Sequence, residues 1–88
     1  MSGNLTDTQR VLKLIERTRL LIAIDDDMPA EIKLTTQPLL KMLEAEINAE
    51  TVDEGRASGY YSALYTELAS YPDVEALLSA MRVFLPFL

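Results

Sequence analysis

Apolar residues recur along this chain at steps of three and four, which is the spacing of one face of an α-helix. The clearest run lies at the carboxyl end of the chain. Its members are Val74, Leu77, Leu78, Met81, Phe84, Leu85 and Leu88. Alternation with a period of two is confined to residues 32–36. The pattern therefore predicts an all-α protein.

The first helix is predicted from Asp7 to Ile24. Thr6 is a suitable N-cap, and Gln9 stands three residues later, where a capping box needs a glutamine or glutamate. Apolar residues cover a wide arc of this helix, because Leu20 and Ile24 lie off the main stripe. We therefore expect this helix to be contacted on more than one side.

Three prolines mark the next helix boundaries. Pro29 and Pro72 each stand where a new apolar pattern begins, and proline fits the first turn of a helix because its missing N–H is not needed there. Pro38 stands inside an apolar pattern, where it leaves the carbonyl four residues earlier without a donor. We expect Pro38 to divide this segment into two helices, at about 29–35 and 38–50, with one kinked helix as the alternative.

The following helix is predicted at about residues 52–70, with Thr51 and Glu54 forming its capping box. The last helix begins at Pro72 and ends near Phe84 or Leu85. Because the connections are short, these elements predict a small antiparallel helical bundle of four to five helices, broken by the three prolines.

The amino-acid composition excludes several kinds of functional site. Its 88 residues predict one domain, spanning 1–88, in which residues 1–5 are a ragged lead. Neither cysteine nor histidine occurs, which removes disulfides, thiolate nucleophiles and the usual zinc ligands. The sequence contains neither a phosphate-binding loop nor a nucleophile motif. We therefore expect no enzymatic activity, no metal and no cofactor.

Charge is distributed unevenly around a net value of −6. Residues 1–24 carry four basic and two acidic side chains, whereas residues 25–54 carry nine acidic and two basic ones. An acidic chain repels phosphate, so nucleic acid is a disfavoured partner and a basic protein surface a favoured one. The amino-terminal residues are polar and the apolar runs are short, so we expect a cytoplasmic protein without membrane contact.

Two glycines, Gly55 and Gly59, stand inside a predicted helix. Each costs about 1 kcal/mol relative to alanine, but with Ala63 they form a smooth ridge that lets another helix approach closely. The ridge packs either within the monomer or against another chain. Three tyrosines beside it point in different directions, so at least one reaches the surface. They are Tyr60, Tyr61 and Tyr65.

The last six residues, VFLPFL, are apolar to the end of the chain. Left in water they would form an aggregation-prone patch, and so small a fold has little surface with which to cover them. We therefore expect another chain, and a homodimer in particular, to cover them. The predicted partner-binding residues are Gly55, Gly59, Tyr60, Tyr61, Tyr65, Phe84, Phe87 and Leu88.

These features favour a small acidic, non-enzymatic protein–protein interaction module of the inhibitor, antitoxin, immunity-protein or assembly-chaperone type, which occludes a partner surface. The alternative is a dimeric regulator of nucleic-acid transactions. It would act through a basic stripe on the first helix or as an acidic mimic of nucleic acid. The stripe is Arg10, Lys13 and Arg17, and the acidic residues to test are Glu46, Glu50 and Glu54. Residues 25–27, three aspartates, are expected to form a solvated turn that caps the next helix.

Overall fold

The computed structural model describes residues 5–88 and contains four α-helices in this range. They are α1 (Asp7–Ile24), α2 (Ala30–Ile47), α3 (Glu54–Leu68) and α4 (Pro72–Phe84). Helix accounts for 76% of this part of the chain, which contains no strand. The all-α prediction is confirmed. The predicted ragged lead lies outside the described residues, apart from Leu5.

The first helix begins and ends where the sequence predicts. The Thr6 hydroxyl accepts a hydrogen bond from the N–H of Gln9 at 3.1 Å, and the Gln9 side chain accepts one from the N–H of Thr6 at 2.9 Å. This reciprocal capping box satisfies N–H groups that have no partner within the helix. Beyond the helix, the N–H of Asp27 donates to the Asp25 carboxylate at 2.9 Å, which closes the turn that leads to α2.

The second helix is continuous, so the predicted division at Pro38 is wrong. Pro38 and Leu34, whose carbonyl loses its usual donor, are both solvent-exposed. Water can hydrate that carbonyl, which lowers the cost of an internal proline. On the opposite side, the buried positions continue across the proline from Thr36 to Leu43. Pro29 is the N-cap of α2, so the helix begins one residue after the predicted start.

The third helix is shorter than predicted, and its N-cap is Asp53. The Asp53 carboxylate accepts a hydrogen bond from the N–H of Arg56 at 3.0 Å. The predicted capping box between Thr51 and Glu54 is therefore wrong, because Asp53, which lies between them, caps the helix. Pro72 is the first residue of α4, as its sequence position predicts.

The helices form an antiparallel bundle in which each helix contacts two others. The closest pairs are α1 with α4 and α2 with α3, whereas α3 and α4 touch least. Between α1 and α2, the Gln37 side chain donates to the Arg19 carbonyl at 3.2 Å. Within residues 5–88, none of the helices has the length and apolarity needed to cross a bilayer.

One core receives buried side chains from all four helices. Its largest fully buried side chains are Val11, Ile15, Thr18, Ile22, Thr36, Leu40, Leu43, Leu64, Leu68, Leu78 and Met81. The hydroxyls of Thr18 and Thr36 donate to carbonyls four residues earlier, at 2.8 and 2.7 Å. The two buried polar side chains are thereby satisfied, so the core carries no unpaired hydroxyl at these positions.

Candidate functional site

The carboxyl-terminal tail folds back onto its own bundle. Leu88 is only 6% exposed and belongs to the core, and its N–H donates to the Leu85 carbonyl at 3.1 Å. Phe84 and Phe87 are half-buried and pack against the same core. The burial of these three side chains within one chain removes the need for a partner to cover them. Val83 differs, because it is 74% exposed.

The tyrosines of α3 lie in different environments, as their spacing requires. Tyr61 is 3% exposed, and its hydroxyl donates to the Leu78 carbonyl at 2.6 Å. Burial raises the pKa of Tyr61 to about 12, because the phenolate would lose its hydration. Tyr60 and Tyr65 are half-buried, so these two tyrosines are the ones that reach the surface.

Tyr65 and Glu75 link the surfaces of α3 and α4. The Tyr65 hydroxyl donates to the Glu75 carboxylate at 2.6 Å, and the Ser79 hydroxyl donates to the same carboxylate at 2.7 Å. The hydrogen bond from Tyr65, followed by that from Ser79, lowers the pKa of Glu75, and the same contact with Glu75 raises the pKa of Tyr65. The Tyr65 ring also stacks on Tyr61, with centroids 6.1 Å apart.

The boundary between α3 and α4 is open, and we call it the α3–α4 seam. Two adjoining clefts of about 360 and 280 Å³ lie along it. They are lined by Tyr61, Ser62, Tyr65, Thr66, Ser79, Arg82, Val83 and Leu88. Val83, which is largely exposed, lines the same cleft as Arg82 and Tyr65. The seam thus combines an apolar side chain, a guanidinium and a tyrosine ring.

Gly55 and Gly59 are exposed, so the glycine ridge is not packed inside the described chain. A Cβ added to Gly59 would meet no atom within 4 Å, and one added to Gly55 would lie 3.5 Å from the Asp53 carboxylate, an ordinary contact. Neither glycine has a positive φ. Nothing among residues 5–88 requires glycine at position 59. The glycine destabilises the helix by about 1 kcal/mol relative to alanine, and no contact within these residues offsets this loss.

The predicted basic stripe lines a cleft of about 230 Å³ between α1 and α4. The lining residues of this basic cleft are Leu5, Arg10, Lys13, Leu14, Arg17 and Phe84. The Arg10 guanidinium lies 5.5 Å from the centroid of the Phe84 ring, a cation–π distance. Phe84 therefore contacts the α1 side of the bundle and is separate from the α3–α4 seam.

The three aspartates of residues 25–27 line a second cleft, of about 430 Å³, at the other end of the α1–α4 pair. The residues of this acidic cleft are Leu21, Ile24, Asp25, Asp26, Asp27, Tyr71, Pro72, Asp73 and Val74. The fold brings Asp73 to the triplet, an association that the sequence pattern did not predict. No cluster of three or more acidic side chains in residues 5–88 has a geometry that could hold a metal ion.

The acidic residues considered for nucleic-acid mimicry have separate roles. The Glu46 carboxylate accepts a hydrogen bond from the N–H of Asp53 at 3.0 Å and pairs with Arg56 at 3.4 Å. Glu46 thereby fixes the connection between α2 and α3. Glu50 and Glu54 are exposed, so these two carboxylates are the ones that face solvent freely.

Sequence reasoning missed an apolar stripe on the outer side of α2. Leu34 is 75% exposed and Met42 is 41% exposed, with the exposed Pro38 between them. Their spacing of four residues is the signal that could have revealed the stripe. The prediction that a helix ends at Pro38 hides the continuity of this exposed side.

The predicted partner-binding residues are thus divided among several locations. Tyr61 and Leu88 are mostly buried, Tyr65 lies on the α3–α4 seam, Gly55 and Gly59 are on the exposed side of α3, and Phe84 lies beside the basic cleft. Tyr60 and Phe87 are half-buried. No protein-family model matches the chain, and neither does any curated protein or solved structure.

Proposed function

We propose that this chain is a small acidic, non-enzymatic protein-interaction module that acts by covering the surface of another protein. Inhibitors, antitoxins, immunity proteins and assembly chaperones act in this way. The module works in the cytoplasm as a homodimer. The observation that carries the proposal is the open α3–α4 seam, which exposes Val83 beside Tyr65 and Arg82 in a bundle whose core is already complete.

The residue types at the seam suit a protein partner. Tyrosine and arginine are enriched among the residues that dominate binding energy at interfaces. Burial of a valine side chain by a partner contributes about 1.5–3 kcal/mol, and Val83 is 74% exposed in the free chain. Within residues 5–88, Arg82 forms no ion pair, so its guanidinium can pair with a carboxylate of the partner.

The glycine side of α3 extends this surface. Gly59, Ser62 and Thr66 follow one another at steps of three and four, so they lie on one side of the helix. Ser62 and Thr66 also line the seam. A partner helix that approaches the bare backbone at Gly59 would therefore direct its side chains into the seam.

The experiment begins with a photo-crosslinking amino acid at Ser62, on the seam, and the same group at the exposed Lys41 on α2 as the matched control. We expect a partner that crosslinks from position 62 and not from position 41. The captured protein is then purified and titrated against the wild type, Val83→Lys and Gly59→Leu. Because Val83→Lys would bury an unpaired charge at the seam and Gly59→Leu would block close approach to the bare backbone, each variant is expected to weaken binding about tenfold or more.

The folded state of each variant is checked by circular dichroism, and Lys41→Ala serves as the binding control. Equal crosslinking from both positions would contradict the proposal. So would wild-type affinity in folded Val83→Lys and Gly59→Leu.

A second candidate, a regulator of nucleic-acid transactions, is supported by the basic cleft. This cleft gathers Arg10, Lys13 and Arg17 around the Phe84 ring, and cations beside an aromatic ring suit a single-stranded nucleic acid. The net charge of −6 opposes this candidate. Salt-sensitive oligonucleotide binding that disappears when the three basic residues are replaced by alanine would support this second candidate. Unchanged binding would show that the basic cleft is not a nucleic-acid site.

A further inference from the structure

The two clefts between α1 and α4 carry opposite charges at opposite ends of one surface, which we call the α1–α4 face. From this arrangement we infer that two copies of the chain pair through this face about a two-fold axis. The basic cleft of each copy meets the acidic cleft of the other. The inference rests on the homodimer of the proposed function and identifies its interface.

The residues that α1 contributes to both clefts share one side of that helix. In chain order they are Arg10, Lys13, Leu14, Arg17, Leu21 and Ile24. Lys13 and Leu14 are adjacent, and otherwise each residue lies three or four positions from the next turn's member, which places the set along one side of a helix. Helix α4 runs antiparallel beside α1, and it contributes Phe84 to the basic cleft and Asp73 to the acidic cleft.

The two charged regions do not neutralise each other within one copy. Lys13 and Asp25 are twelve residues apart, so their backbones are separated by about 18 Å along the helix axis. This exceeds the screening length of about 8 Å at physiological ionic strength. Among residues 5–88, no basic residue of the first cleft and no aspartate of the second forms an ion pair.

A two-fold axis perpendicular to α1 reverses the direction of that helix in the second copy. Residue i of one copy then meets residue j of the other, and j meets i, so each complementary contact occurs twice. Between the charged ends, Leu20 and Ile24 are 50% and 71% exposed. Leu20 lies seven residues after Lys13 and therefore on the same side of α1. The pairing would bury both of these side chains.

A second copy fits this face better than a partner of uniform charge. A nucleic acid or an acidic protein would be attracted to the basic cleft and repelled by the acidic one. A basic peptide would be repelled by the basic cleft and attracted to the acidic one. Another copy of the same chain is complementary at both ends. The apolar side chains of the second copy would also contact those that lie between the charged ends of the first.

Two sets of charge reversals test the pairing. Lys13→Glu with Arg17→Glu makes both ends of the face acidic, and the triple change Asp26→Lys, Asp27→Lys and Asp73→Lys makes both ends basic. All five side chains are exposed, and Asp25 is left intact because it accepts the hydrogen bond that closes the turn. Light scattering gives the mass of the wild type, of each variant and of their equimolar mixture, and native mass spectrometry gives the composition of the mixed species.

We expect the wild type to have twice the mass of the chain, and we expect each variant alone to dimerise about tenfold more weakly or worse. The mixture should restore a dimer that contains one copy of each variant, because its opposite charges meet at both ends. A change in net charge alone cannot produce this restoration. Raising the salt concentration should weaken the wild-type dimer without any substitution.

Three results would overturn the inference. A monomeric wild type at every concentration rejects both the interface and the proposed homodimer, while partner binding at the α3–α4 seam keeps its separate test. If the variants dimerise as well as the wild type, the α1–α4 face is not the interface, and the homodimer forms through another surface. Folded monomeric variants that fail to form the mixed dimer also reject it.

Discussion

The hydroxyl of Tyr61 lies 2.6 Å from the backbone carbonyl of Leu78 and donates a hydrogen bond to it. The two residues are seventeen positions apart in the chain, and the bond is buried. Helices α3 and α4 have the slightest contact in the bundle. This bond therefore joins the pair of helices that has the least packing to hold it together.

Replacement of Tyr61 by phenylalanine keeps the ring and removes the bond. We expect the free energy of unfolding at neutral pH to fall by about 0.5–1.5 kcal/mol, as measured by urea denaturation. The difference should also depend on pH, because burial raises the pKa of Tyr61 from 10.0 to about 12. The folded state favours the neutral phenol, so its contribution is complete below pH 10 and is lost as the pH rises to 12.

The stability advantage of the wild type over Tyr61→Phe should therefore shrink across this alkaline range. The remaining tyrosines are common to both proteins and cancel in the comparison. A constant difference up to pH 12 would contradict the assigned shift.

The contact between Tyr65 and Glu75 predicts a second titration effect. Hydrogen bonds lower the pKa of Glu75, and the bond from Tyr65 is the main cause. We expect Tyr65→Phe to raise the pKa of Glu75 towards its ordinary value, as measured by nuclear magnetic resonance of the carboxylate. Tyr60→Phe is the control, because Tyr60 does not donate to Glu75.

The effect of Glu75 on stability has a definite sign. Its pKa is lower in the folded state, so its contribution is present above the unfolded-state pKa and is lost as the pH falls through the folded-state value. Tyr65→Phe should reduce this acid dependence. An unchanged Glu75 pKa in that variant would show that the hydrogen bond is not formed in solution.

Pro38 predicts a stabilising substitution. An internal proline costs a helix about 3 kcal/mol, and about 0.4–1 kcal/mol of this is offset because proline restricts the unfolded chain. Pro38→Ala gives the Leu34 carbonyl a donor, and because water already hydrates that carbonyl we expect the free energy of unfolding to rise by at most about 2 kcal/mol. Pro86, which lies beyond α4, is the control, and its replacement by alanine should give no such gain. A loss of stability in Pro38→Ala would contradict the continuous helix.

Leu88 provides a test of where the carboxyl-terminal tail is buried. It is 6% exposed within its own chain, so Leu88→Ala should cost about 2–3 kcal/mol through the cavity it leaves. The exposed Leu34 is the control, and its replacement should change stability by about 0.5 kcal/mol or less. The cost at Leu88 should be independent of protein concentration. A cost that grows with concentration would mean that a second copy covers the tail.

The sequence predicted two helix starts from signals between neighbouring residues, whereas a third signal of this kind, the capping box of Thr51 and Glu54, was wrong because Asp53 caps α3 instead. The capping box of Thr6 and Gln9 and the position of Pro72 are local signals, and both helix starts are where these signals place them. The effect of Pro38 depends on which side of α2 faces water. That side is decided by the packing of the other helices, so the local rule gave the wrong answer.

For the candidate surfaces too, local features could be predicted from the sequence, and features that depend on contacts between distant segments could not. The divergence of Tyr60 and Tyr61 is a consequence of helix geometry and was predicted correctly. The burial of Leu88 and the approach of Asp73 to the aspartate triplet depend on where distant segments meet. No periodicity within one segment contains that information, so the sequence pattern predicts a partner for the tail and does not predict the acidic cleft.

Gly59 separates the stability of the chain from its proposed binding function. An added Cβ meets no atom within 4 Å, so Gly59→Ala should raise the free energy of unfolding by about 0.5–1 kcal/mol through helix propensity alone. Gly55→Ala should gain less, because Gly55 lies in the first turn of α3, where backbone order contributes least. Urea denaturation of the isolated chain at low concentration measures both effects. A loss of stability in Gly59→Ala would mean that the free chain itself requires the bare backbone, and the glycine would then no longer support a partner at the seam.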